Sequence, residues 1–167
     1  VEDLVDYLVK NNINACAVTD HGNMYASLYF AEECVKKGIK YIIGCELYAV
    51  DDHTEKRPGK NEHIVLLAKN KTGYKNIVKL DSLSYIDGFY GKPRISYDYI
   101  KKHHEGVICL SACLAGRVSQ LLLEGDYDGA KAWAKEMQDV FGEDFYIELQ
   151  RHKTDKPNPY IEKDLNN

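Results

Sequence analysis

The chain has 167 residues, 44% of them hydrophobic, which is enough for one domain with a sizeable core and too few for a second catalytic domain beside it. Its formal net charge of −4 is not the footprint of a module that holds nucleic acid unaided, because such modules usually present a basic face. No apolar run approaches the roughly 20 residues that span a bilayer, and Val1-Glu2-Asp3 lacks the basic-then-apolar pattern of a leader, so the expectation is a cytoplasmic protein with no membrane partner. Five cysteines (Cys16, Cys34, Cys45, Cys109, Cys113) form an odd set without CxxC spacing, as suits a reducing compartment rather than a disulfide framework.

Val1, Leu4, Val5 and Leu8, at i, i+3, i+4, i+7 spacing, predict a first helix. Ala15 to Thr19 reads as a short buried strand ending at Asp20-His21-Gly22. A helix is expected from about Asn23 to Lys37, closed by Gly38. The second strand runs from Tyr41 to about Val50, and the polar stretch Asp51 to Glu62, with Pro58-Gly59, is the clearest loop. His63 to Ala68 is a third strand, followed by a helix that Thr72 could cap. Asp87 to Arg94 reads as a loop, Ser96 as the cap of a short helix through Lys102, and Val107 to Leu110 as a fourth strand. Helices over about Gly116 to Leu123 and Tyr127 to Phe141 precede a fifth strand, Phe145 to Leu149, and a last helix is expected after Pro159. The opening on a helical pattern without an initiator Met, and the stop at Asn166-Asn167, suggest boundaries inside a longer domain.

Five uniformly apolar strands alternating with helices predict an α/β fold with a mainly parallel sheet, either a barrel or an open doubly wound sheet. Working groups in both collect past the carboxyl ends of the strands. Asp20-His21 and Cys113 follow strands there, and Glu46 lies within the second strand. His63 opens its strand instead of ending it, which conflicts with that rule. Imidazole, carboxylate and thiolate together suit Zn²⁺ or another borderline ion, whereas Mg²⁺ prefers oxygen.

Plainer readings stand beside each of these residues. Asp20 could cap a helix, Glu46 could pair with a lysine, Cys113 could be a small core residue, and His63 an ordinary strand-edge histidine. His53, His103 and His104 lie in polar surroundings and are expected in solvent. Glu148 and His152 could buttress a site or form a surface pair. There is no HExxH, P-loop or GxGxxG. The thirteen tyrosines are scattered as packing residues, not arranged as a stacking platform.

Several blocks together resemble the PHP domain of bacterial replicative DNA polymerases of the polymerase III α type. They are Ala17-Val18-Thr19-Asp20-His21-Gly22-Asn23-Met24, Ile43-Gly44-Cys45-Glu46, His63 to Asn70 followed by Gly73-Tyr74-Lys75-Asn76-Ile77, Leu110 to Gly116, and Tyr146 to His152. The resemblance implies a distorted, TIM-like (β/α)7 barrel over residues 1–167, incomplete at both ends, whose mouth holds a cluster of up to three Zn, Mn or Fe ions. It implies His21, Glu46, His63 and Cys113 as metal ligands, Asp20 as the neighbour that orients His21, and flanking His-x-His and Asp-x-His motifs before Val1 and after Asn167. It further implies a parent DNA-directed DNA polymerase, a nucleotidyltransferase with its own Mg site, working on DNA beside other replisome subunits. The implied activity of the complete domain is 3′–5′ exonucleolytic proofreading. A structural module that stabilises the polymerase or docks a proofreading subunit, and a stand-alone phosphatase for a small ester such as histidinol phosphate, are the alternatives.

Overall fold

The computed structural model describes residues 1–56 and 59–150. His152 and the helix expected after Pro159 fall outside them. The elements in order are α1 (Glu2–Lys10), β1 (Ala15–Val18), α2 (Ser27–Lys36), β2 (Lys40–Val50), β3 (Glu62–Ala68), α3 (Lys71–Ile86), β4 (Arg94–Ser96), α4 (Tyr97–Lys102), β5 (Val107–Leu110), α5 (Arg117–Leu123), α6 (Tyr127–Phe141) and, after a 3₁₀ turn, β6 (Phe145–Tyr146). No helix among the described residues is long and apolar enough to cross a membrane.

The strands form one six-stranded mixed sheet in the order β1-β2-β3-β5-β6, with β4 beside the end of β2. The expectation of a mainly parallel sheet needs correcting at β3, which runs antiparallel to both β2 and β5. The cause is the 51–61 connection: its described residues hold no helix, and a parallel return needs a crossover that is usually helical. β4 is a strand the loop reading missed, three residues long and parallel to β2, with Ile95 fully buried.

Register divides the sheet into two faces. Cys45, Leu47, Ala49, Ile64, Leu66 and Cys109 pack into the main core with Ile77, Leu80, Trp133, Met137 and Phe141 of α3 and α6. The pairs Glu46↔Val65 and Val65↔Leu110 lie on the opposite face. That face keeps partial exposure along β2, which corrects the reading of the strands as uniformly apolar and so dry on both faces. A smaller core of Val5, Leu8, Phe30, Cys34, Ile39 and Ile43 joins α1 and α2 to the sheet.

Several local readings are corrected. The cap of α3 is Asn70, not Thr72: its side chain accepts the Gly73 N–H, and a Cβ on Gly73 would sit 1.7 Å from the Gly106 carbonyl oxygen. Ser96 stands at the start of α4 without capping it, because its Oγ bonds His53 Nδ1 at 3.1 Å. His53 is therefore 3% exposed, edge-on to the Tyr99 ring, and not solvated as its polar surroundings suggested. The buried Arg94 secures the same loop by donating from Nη2 to the Glu55 carbonyl at 2.7 Å.

Candidate metal centre

The site begins with a turn that only glycine can complete. Gly22 has φ +62, and a Cβ there would lie 2.8 Å from the Tyr48 ring and 2.9 Å from Pro93. Its N–H donates to the Glu46 carbonyl at 2.8 Å, while the Glu46 N–H donates to the Asp20 carbonyl at 3.0 Å. These two bonds extend the parallel pairing of β1 with β2 and set His21 directly beside Glu46. The Asp20 carboxylate accepts the Ala26 N–H at 2.9 Å, and Asn23 bonds both the His21 carbonyl and the Tyr25 N–H. This folded turn delays the start of α2 to Ser27, later than the expected Asn23.

The conflict over His63 disappears with the direction of β3. An antiparallel strand starts where its parallel neighbours end, and His63 pairs with Tyr48 near the carboxyl end of β2. Its N–H donates to the Ala115 carbonyl at 3.0 Å, tying it to the turn after β5 that carries Cys113.

Four residues from four segments therefore meet. Glu46 divides its carboxylate between two imidazoles, with Oε1 2.7 Å from His63 Nδ1 and Oε2 3.2 Å from His21 Nδ1. Cys113 Sγ lies 3.4 Å from His63 Nδ1 and 3.9 Å from Glu46 Oε1. Glu46 and His63 are largely buried, whereas the His21 side chain is 64% exposed and faces the mouth of the site.

The donor set fits a transition ion. One ligand atom from each of His21, Glu46 and His63 lies within 4.8 Å of the others. Tetrahedral bonds of about 2.1 Å to N and O would set such atoms about 3.4 Å apart, so small side-chain rotations bring them to one ion. Two imidazoles and a carboxylate with a thiol alongside suit Zn²⁺, Mn²⁺ or Fe²⁺ better than an all-oxygen Mg²⁺ shell. Asp20 reaches the centre through the backbone of the turn, since its carboxylate is engaged by Ala26.

Some contributors went unnoticed in the sequence. Tyr48 meets His63 edge to face at 5.2 Å, and Tyr85 donates to the Gly22 carbonyl at 2.8 Å. Cys45 tucks its thiol under the turn toward the Asn23 carbonyl at 3.2 Å, and burial pushes that thiol well up from its ordinary value. Asp81 of α3 has a buried Oδ1 without a hydrogen-bond partner, and burial pushes its carboxyl up to about 6. The alternating pattern of β2 could have identified Tyr48 as a neighbour of the site; nothing local to Asp81 or Tyr85 points there.

A strand-borne glutamate joined to histidines from two neighbouring strand ends is a mixed nitrogen and oxygen donor set of the kind that holds a borderline metal ion. The sequence profile of the PHP domain matches residues 1–152, and the chain belongs to that family. Curated relatives that it matches include proteins named DNA polymerase III subunit alpha. That of Treponema pallidum is 45% identical over 148 residues, covering 85% of this chain and 13% of the relative. That of Borreliella burgdorferi is 43% identical over 159 residues, 91% of this chain and 14% of the relative. The Thermus aquaticus protein is 40% identical over 144 residues, 83% and 12% respectively. The chain thus spans about an eighth of the length of the curated relatives it matches.

Proposed function

We propose that residues 1–167 are part of the PHP domain of a bacterial polymerase III α subunit, and that this domain is a metal-dependent 3′–5′ exonuclease. The observation that carries the reading is the meeting of His21, Glu46, His63 and Cys113 at one rim of the sheet. In this reading the sheet is one wall of a distorted (β/α)7 barrel, with further ligands supplied by His-x-His and Asp-x-His segments. The parent protein is a DNA-directed DNA polymerase acting in the cytoplasm with DNA and other replisome subunits, and Mg²⁺ serves its separate polymerase site.

His21, Glu46, His63 and Cys113 would hold Zn, Mn or Fe. A bound ion would lower the pKa of a water and offset charge on a phosphodiester. The chain's own residues do the positioning. Glu46 fixes both imidazoles through its two oxygens, the Asp20 turn holds His21 at the open side, and Tyr48 packs against the His63 ring. The negative net charge means that the 3′ end must be delivered by other parts of the polymerase.

A structural role is the second reading, favoured by the way Glu46 already joins the β1 turn, β2 and β3 through its imidazole contacts. Metal at such a point can stabilise a fold without catalysis. The discriminating measurement is metal content and 3′–5′ exonuclease activity of the complete subunit, wild type against a His21→Ala, Glu46→Ala variant. Metal and nuclease activity lost together in the variant is the expected result. Metal bound in the wild type with no nuclease activity in either protein would leave the structural reading.

A further inference from the structure

The rim carries a second carboxylate that the four-residue group does not use. Glu148 lies two residues beyond β6, the strand parallel to β5. Leu110 pairs with Tyr146, so Tyr146 shares the face of Val65 and Glu46, and an extended chain brings residue 148 back to that face. The Glu148 N–H donates to Ser111 Oγ at 2.9 Å, holding the segment against the turn that bears Cys113. Its Oε1 accepts from Gln150 Nε2 at 3.2 Å, but its Oε2 is shut off from solvent without a hydrogen-bond partner among the described residues. Beside it is a cavity of about 100 Å³ lined by Ser111, Cys113, Val118, Leu122, Ile147 and Glu148.

A buried carboxylate oxygen demands a counter-charge or a proton. Among the described residues that line the cavity there is no basic side chain, and the Cys113 thiol is the other group there that makes a strong metal donor. We propose that Glu148 is a further metal-binding carboxylate, which with Cys113 takes a divalent borderline ion into the cavity they share. Thiolate plus carboxylate, with water completing the shell, is a donor set for Zn²⁺ or its spectroscopic surrogate Cd²⁺. Cys113 then joins this ion to the His21, Glu46 and His63 group, because its sulfur already touches both His63 and Glu46. The inference rests on the reading of the rim as a metal centre.

The test is a Cd²⁺ titration of the 167-residue chain, followed by the thiolate-to-cadmium absorption band and by bound equivalents, with the metal-free melting temperature recorded. Glu148→Gln is expected to weaken binding of the band-giving ion by about tenfold or more, the scale of losing one supporting group at a metal site. Its metal-free melting temperature should hold or rise, because an unpaired charge has been removed. Should Glu148→Gln not fold, Glu148→Asp, which keeps the charge but draws it back from the cavity, carries the same expectation for Cd²⁺. An unchanged band and affinity in these variants overturns the inference, whatever happens to the melting temperature. A wild-type chain that takes up no Cd²⁺ removes the metal centre itself. Uptake that depends on His21 and Glu46 but not on Glu148 removes only this inference.

Discussion

The two turns that present the candidate metal-binding groups solve the same problem with different chemistry. After β1, the chain bends at Gly22, whose left-handed φ of +62 costs nothing for glycine, and two backbone bonds fasten the bend to Glu46. After β5, the left-handed residue is Ala112 at φ +62, a conformation that costs a residue with a Cβ about 1–2 kcal/mol. That turn is held by its neighbours instead: Ser111 N–H donates to the Tyr146 carbonyl, Gly116 N–H to the Cys113 carbonyl, and His63 N–H to the Ala115 carbonyl. The first turn is shaped by its own sequence and then pinned. The second is bent by the segments around it, so its cysteine depends on β3 and β6 being in position.

The largest expected effect follows from breaking the self-shaped turn. Gly22→Ala adds a Cβ in the left-handed region and against Tyr48 and Pro93, and should destabilise the fold by about 3 kcal/mol in urea melts while lowering metal affinity at His21. Ser111→Ala attacks the borrowed shape of the second turn. It strands the Glu148 N–H and should cost about 1–2 kcal/mol, with hydrogen exchange rising at residues 146–148.

Asp81 probes the support under the first turn through pH. Burial raises its folded pKa from 3.8 to about 6, so its protonated form stabilises the fold below about pH 4 and that contribution is lost as pH rises through 6. Asp81→Asn should flatten this part of the stability profile and raise stability at pH 7.5 by about 1 kcal/mol, a figure reduced for its partial exposure. The smallest effect is expected at Ala112→Gly, where relief of the left-handed strain is offset by lost burial of a methyl group and a freer unfolded chain. Its urea midpoint should stay within about 1 kcal/mol of the parent.

Local features were legible where one residue type answers one demand. Gly38 closing α2 and Gly22 in the turn both follow from what the backbone demands there, whereas the alternation that buries Cys45, Leu47 and Ala49 is hidden by the uniformly apolar look of β2. His21, Glu46 and Cys113 stood out because polar groups at the ends of apolar strands need a reason. What the sequence could not reveal was direction. Whether β3 runs with or against β2 depends on the 51–61 connection, whose described residues form no helix or strand before Glu62, and the role of His63 changes with it. His53 was misread for a related reason: its neighbours in sequence are polar, but Ser96 and Tyr99, which bury it, come from forty residues further on. Glu148 stayed undecided because its meaning depends on a cavity shared with the β5 turn.

The length of β2 has a kinetic consequence. This strand alone pairs with β1, β3 and β4, and the shortest excursion it closes is the 51–61 segment leading into β3. Chain closure of a short loop is entropically cheaper than of a long one, so the β2–β3 hairpin is expected to form ahead of the β1 and β4 pairings. Glu46 and His63 would then meet early in folding, and His21 would join a partner pair already assembled. An ion present during synthesis would find a two-residue foothold before the sheet is finished, so metal could speed folding as well as stabilise its product.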